Sequence, residues 1–148
     1  MKSIRNIAFS VLLTLGAFSA MTYTSCNKDE CKDVVCQNGG TCNEGICACA
    51  TGYEGTNCET EIRGKVIKTW TAKDMNISDN STVPTYNSAI TKGTNITDIL
   101  ISDFSDEFFA NDVKATVSGN TITIPSQDPD NDGYKVAGTG TYNTTDKS

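Results

Sequence analysis

The sequence predicts a mainly β protein in two parts: a small disulfide-rich module, then a small antiparallel β-sheet, a sandwich or partial barrel. Three observations carry this. Six of the seven cysteines fall between Cys31 and Cys58 and none follows. The remainder alternates Val, Ile and Thr with polar residues at the two-residue period of strands. Its turns carry Gly and Asn, with a Gly-Asn pair between the two clearest runs.

The start of the chain fixes the compartment. Lys2 and Arg5 precede an apolar run from Ile7 to Met21 and a small polar stretch, Thr22 to Ser25. That run is too short to span a membrane comfortably and has the length of a signal-peptide core, so residues 1–25 are excluded from the fold. Without Lys2 and Arg5 the formal charge of -6 becomes about -8. An acidic surface of this kind repels phosphate backbones and anionic headgroups, so nucleic acid is excluded as a partner.

Cys26 is odd against six cysteines that complete a framework downstream, and needs a cap in an oxidising space. Tyr23-Thr24-Ser25-Cys26 resembles a bacterial lipobox, which implies that Cys26 is acylated and anchors the mature chain to a membrane. Tyr23 replaces the aliphatic residue usual there; the alternative is ordinary cleavage before Cys26 with a free thiol. Lys28-Asp29-Glu30, just behind, resembles the export signal of Bacteroidota-type surface lipoproteins. The localisation expected is the outer membrane, lipid-anchored and facing the cell exterior, with the periplasmic face as alternative. Residues 26–30 are then an acylated cysteine and an acidic tether.

In the stapled module, 31–58, the cysteine gaps are x4, x5, x4, x1 and x8, with Asn38-Gly39-Gly40-Thr41 and Gly52-Tyr53-Glu54-Gly55 between them. Clustered cysteines behind a secretory signal, with no histidine in the chain, read as disulfides rather than a zinc site. Spacing alone leaves the pairing open. These residues closely resemble the EGF-like family, and the resemblance implies Cys31 with Cys42, Cys36 with Cys47, and Cys49 with Cys58. Each bridge closes about a dozen residues and contributes roughly 3 kcal/mol in the loop-entropy account, non-additively. Calcium-binding members of the family need an Asp or Asn and an aromatic between the third and fourth cysteines; here Asn43-Glu44-Gly45-Ile46 stands there, with no aromatic. The same short gap argues against growth-factor mimicry, which leaves a spacer or protein-contact module.

Glu59 to Gly64 is charged and ends in glycine, which marks a linker over 59–64. Strands are expected over 65–71, 86–91, 96–104, 113–118, 121–125 and 134–143. Gly119-Asn120 makes a hairpin of the fourth and fifth, with positive φ inexpensive at both turn positions. In the last, Val136, Gly138, Gly140 and Tyr142 share a face. The runs ILISDF, VKATVSGNTITIP and YKVAGTGTY resemble lipocalin-like β domains of Bacteroidota surface lipoproteins, in which another strand often follows the glycine-rich one. The chain stops at Ser148 with no such strand, so the β domain over 65–148 is expected either to end in an unpaired edge or to belong to a truncated reading frame.

Asp128, Asp130 and Asp132 are the candidate metal ligands. They occupy the first, third and fifth places of a calcium-type loop with Gly133 sixth, but Thr139 stands where a bidentate Glu is needed. The competing expectation, and the favoured one, is an acidic, solvated hairpin loop with no cofactor. Sequons at Asn76, Asn80, Asn95 and Asn143 reduce, behind a bacterial lipobox, to strand and turn composition.

No catalytic constellation is present. The lack of histidine removes Ser-His and Cys-His nucleophile pairs and most catalytic zinc sites. Asp103, Asp106 and Glu107 cluster, but a domain this small encloses little cleft, so they read as a solvated loop. The expected function is non-enzymatic: a surface lipoprotein whose EGF-like spacer carries a β domain for protein interaction or adhesion. The alternative is a small-ligand or glycan-binding β domain on the same anchor. Trp70, Tyr86 and Tyr142 discriminate: together on an exposed concave face they favour sugar stacking, and buried in the sheet they favour protein interaction.

Overall fold

The computed structural model describes residues 30–106 and 108–145. The signal segment 1–25, the acylation candidate Cys26, tether residues 27–29 and Glu107 lie outside the described residues. The described residues from Cys31 onward form one compact unit.

The stapled module is built from short hairpins that the disulfides hold. Strand β1 (Thr41–Asn43) pairs antiparallel with β2 (Ile46–Ala48), and β3 (Tyr53–Glu54) with β4 (Thr60–Glu61). All three bridges expected from the resemblance are formed: Cys31–Cys42, Cys36–Cys47 and Cys49–Cys58. Cys58 is fully buried; the apolar interior here is mostly cystine, as a segment this short requires.

The segment over 59–64 is itself structured and is the docking element of the module. It contains β4 and runs into one turn of 3-10 helix, Ile62–Lys65. Arg63, at 7% exposure, is buried where a linker residue would be solvated. Its Nη1 donates to the carbonyl oxygens of Gly93 (3.1 Å), Asn95 (2.7 Å) and Asp98 (3.0 Å), and its Nε to Glu61 (3.1 Å). Glu61 also meets Lys92 at 2.9 Å, and the hydrogen bonds from Lys92 and then Arg63 hold its carboxyl below the usual range. Beside this cluster the Ile62 amide donates to the Gly52 carbonyl at 2.9 Å. Gly52 has φ of 89°, and a β-carbon there would come within 2.7 Å of Ile96, so only glycine lets the module approach the 93–97 loop.

Beyond the turn, six strands form a curled antiparallel half-barrel. They are β5 (Thr69–Ala72), β6 (Tyr86–Lys92), β7 (Asp98–Ile101), β8 (Val113–Ser118), β9 (Thr121–Gln127) and β10 (Val136–Thr141), each beside the next in sequence order. The alternation that predicts β8 is the burial pattern observed: Val113, Ala115 and Val117 point inward, Lys114, Thr116 and Ser118 outward. Val66, Ile99, Ile101 and Phe109 complete the buried core, and Trp70, Ile90, Ile122, Ile124, Val136 and Tyr142 pack around it.

Two local outcomes differ from expectation. In the β8–β9 turn only Gly119 takes positive φ (58°); Asn120 does not, which is the pattern of a turn with glycine first. β9 continues past Pro125 to Gln127 because its ladder with β10 shifts register between Val136 and Gly138, and an irregular ladder tolerates the missing proline N–H. On its other side the Gln127 side chain replaces a strand partner: Oε1 accepts from the Lys114 amide at 2.9 Å and Nε2 donates to the Lys114 carbonyl at 2.7 Å.

The meander gives the half-barrel two unlike ends. One carries the 93–97 loop and the β8–β9 turn, against which the module docks; there Lys65 bridges Glu54 at 2.7 Å and Asn120 Oδ1 at 3.1 Å. The other carries the loops 73–85, 102–112 and 128–135. Replacing Arg63 with Met keeps the side chain's bulk but removes its three hydrogen bonds to the carbonyls of Gly93, Asn95 and Asp98 and its pairing with Glu61. We expect a loss of about 3 kcal/mol in urea unfolding, with the disulfides intact. An unchanged midpoint would contradict the anchoring role.

Candidate contact surface

The loop end opposite the module gathers the exposed apolar side chains of the β domain. Met75, Ile77 and Val83 belong to the 73–85 excursion, Phe108 to the 102–112 loop and Tyr134 to the 128–135 loop. Ile77 is 87% exposed, Tyr134 61% and Phe108 55%, in a domain whose core holds only small numbers of buried apolar residues. Isolated exposed apolar residues are ordinary, whereas several on converging loops form a patch.

The rings there are in contact. Phe108 stands edge-on to Phe109 at 4.9 Å and to Tyr134 at 5.3 Å, and Phe104 lies 6.3 Å from Phe109. Phe109 is buried against the core, so the exposed pair Phe108 and Tyr134 rests on a ring that is itself fixed.

Two carboxylates stitch the loops that carry these rings. Asp130 accepts from the amides of Ala110 and Asn111 and from Asn111 Nδ2, each at 2.9 Å, tying 128–135 to 102–112. The bond from the Ala110 amide, ahead of those from Asn111, holds the Asp130 carboxyl below the usual range. Asp74 accepts from Tyr86 Oη and from Ser105 Oγ, both at 2.8 Å, tying 73–85 to 102–112. The backbone between is contorted: Asp103, Ser105 and Asp106 all have φ between 49° and 58°. Strain of this kind persists only where surrounding contacts hold it, and it concentrates at functional loops.

The structure does not bring the candidate metal ligands together. Asp128 turns onto the amides of Asp132 (3.1 Å) and Gly133 (2.9 Å), Asp132 onto that of Tyr134 (3.0 Å), and Asp130 away to the neighbouring loop. Among the described residues no three His, Cys, Asp or Glu side chains converge as a metal site. Asp103 and Asp106 are exposed loop residues.

Trp70, Tyr86 and Tyr142 do not share an exposed face either. Trp70 and Tyr142 meet edge-on at 6.2 Å near the module end, half-buried against the core, with Trp70 Nε1 donating to the Val66 carbonyl at 2.7 Å and Lys68 Nζ 3.5 Å over the ring. Tyr86 lies at the opposite end. The aromatics that matter, Phe104, Phe108, Phe109 and Tyr134, escape sequence reasoning; the available signal is a set of rings in DFSDEFFAND, where no strand alternation accounts for them.

A second hollow runs over the outer face of β7–β9, with volumes of about 300 and 600 Å³ meeting at Leu100 and Lys114. Asn95, Asp98, Asn111 and Asp128 share its lining with Ile99, Leu100, Ala115 and Pro125, and none of the described residues that line it is aromatic. On the module itself, Val34, Val35 and Ile46 surround a shallow depression.

Burial, and then the Asp74 carboxylate beside it, raise the Tyr86 phenol from its ordinary 10.0 to about 12. The folded chain therefore keeps a proton that the unfolded chain releases. Stability from this group is complete below pH 10.0 and is lost as pH rises towards about 12. In an ultraviolet titration one tyrosine should ionise late, and Tyr86→Phe should remove both that step and the alkaline destabilisation. A late step surviving in Tyr86→Phe would reassign it.

No family model matches the chain, and no solved structure matches it. Among curated proteins it is similar to Fibropellin-1 of Strongylocentrotus purpuratus, an EGF-repeat protein. The two are 58% identical over 44 residues, which cover 27% of this chain and 4% of that protein's length. Together with the three cystine bridges, this similarity identifies residues 31–58 as an EGF-like module.

Proposed function

We propose that the protein is a non-enzymatic, lipid-anchored surface protein whose distal loops bind another protein, in interaction or adhesion, with the EGF-like module as spacer. The observation that carries this reading is the stitched aromatic patch around Phe108 and Tyr134, at the end of the half-barrel away from the module. The module docks at the opposite end of the half-barrel and leaves those loops uncovered. Rigid, partly exposed aromatic rings supply large contact area at low entropic cost, and aromatics are enriched where binding energy concentrates.

The charge around the rings narrows the partner. Asp103, Asp106, Asp112 and Asp132 are exposed on the loops that carry Phe108 and Tyr134. A basic protein surface is favoured by attraction to these carboxylates and by stacking of Arg on the rings. The half-buried state of Trp70, Tyr86 and Tyr142 also supports protein contact over sugar stacking. The glycan reading retains one foothold, the polar hollow at Lys114, whose amides and carboxylates suit hydroxyl groups.

A binding screen of the mature chain against extracellular matrix proteins and glycans distinguishes the two. Replacing Phe108 and Tyr134 with Ala should weaken a protein partner at least tenfold, about 1.4 kcal/mol, while Lys114→Ala leaves it unchanged. The opposite pattern, with a glycan lost only in Lys114→Ala, would establish the second reading. For the anchor, globomycin should cause a precursor to accumulate in cells making the wild-type chain; no accumulation would rule out acylation at Cys26.

A further inference from the structure

The EGF-like module leaves two large apolar side chains in solvent. Val35 is 74% exposed and Ile46 73%, in a segment whose own interior is mostly cystine. Each stands immediately before one half of the Cys36–Cys47 bridge, whose Cα atoms are 5.6 Å apart, so a covalent bond keeps the two side by side. With Val34 they line one shallow depression, and Asp33 shares the lining. Lys32 and Asp33 are both exposed, which gives the border one charge of each sign. The docking of the module on the half-barrel runs instead through Gly52, Glu54 and the segment Ile62–Lys65, and leaves the depression open.

We propose, on the lipid-anchored reading, that this depression rests on the bilayer holding the acyl chains of Cys26, with Val35 and Ile46 set among zwitterionic phospholipid headgroups. Chain length argues for that occupant. Five residue steps separate Cys26 from Cys31, and five residues span at most about 18 Å in any conformation. Val35 follows Cys31 by four positions, so acylation at Cys26 confines the depression to the neighbourhood of the headgroups.

Two aliphatic side chains are too few to hold a free protein on a membrane, since even a single myristoyl chain binds only marginally. Attachment removes that requirement, because it turns the contact into an intramolecular one at an effective concentration on the order of millimolar. The contact then decides which side of the module faces the lipid. Charge narrows the headgroup. The acidic chain is repelled by anionic lipid, whereas Lys32 suits the phosphate and Asp33 the ammonium of a zwitterionic headgroup.

The test bypasses acylation by the cell. The mature chain is coupled through the Cys26 thiol to a maleimide lipid in phosphatidylcholine vesicles whose acyl chains carry bromine, a tryptophan quencher. Trp70 is the one tryptophan of the chain and gives the background. Val35→Trp and Ile46→Asp fall at exposed positions and should fold normally, with a single titratable thiol before coupling. Quenching of the coupled Val35→Trp chain should exceed the wild-type value at least twofold, and adding Ile46→Asp should return it to that value. Equal quenching of Val35→Trp and wild type would overturn the proposal, as would strong quenching that survives Ile46→Asp. A blue shift of the Val35→Trp emission that grows with protein concentration without lipid would overturn it in favour of a second copy. Because the lipid is attached chemically, none of these outcomes depends on acylation in the cell, which globomycin tests separately.

Discussion

The buried guanidinium of Arg63 is the constraint on which the arrangement of this chain depends. A charged group at this depth is tolerated only with its donors satisfied, and the three carbonyls that accept from it come from the turn between β6 and β7 and the first residue of β7. That turn is closed by its own backbone bonds, with the Asp98 carbonyl accepting from the Gly93 amide and the Asn95 carbonyl from the Asp98 amide. The guanidinium therefore meets acceptors that are already held in place. The bond set fixes the 3-10 turn, the turn places Val66 in the core, and the cystine module follows because β4 runs directly into that turn.

A similar economy operates at the far end with the opposite sign of charge. Asp74 and Asp130 are carboxylates on loops, the usual setting for solvated side chains, yet each accepts hydrogen bonds from a neighbouring loop. The sheet by itself would leave three loops to move independently. Two acidic side chains make them one surface, and the rings of Phe108 and Tyr134 meet because of it.

What the sequence made legible is what depends on near neighbours. Cysteine spacing and the Gly-Gly and Gly-Tyr-Glu-Gly turns identify the module, and the alternation of Val113 to Val117 and Thr121 to Ile124 identifies the central hairpin, because both signals are complete within a few residues. Arg63 was illegible: Glu-Ile-Arg-Gly has the composition of a linker, and the carbonyls that bury it lie about thirty positions further on. The Asp128 to Asp132 run shows the same limit. Its spacing matches a calcium loop, but whether carboxylates converge depends on which amides the backbone presents, and here the amides of Asp132, Gly133 and Ala110 are closer claimants. The contact patch was hidden for a related reason, since Phe108 and Tyr134 are brought together by loops that have no periodicity to read.

The placement of module and distal loops at opposite ends of the half-barrel has a mechanical consequence. A force applied between the module and the distal loops runs along the strands, because the meander connects those two ends strand by strand. Interstrand hydrogen bonds lie across that direction. The ladder between β5 and β6, four residue pairs long, is then loaded in shear, with its bonds sharing the force at once instead of opening one after another. The module is held by covalent cystine bridges and Ile62–Lys65 is continuous backbone, so the noncovalent links that share such a load ahead of β5 are the Arg63 contacts with Gly93, Asn95 and Asp98.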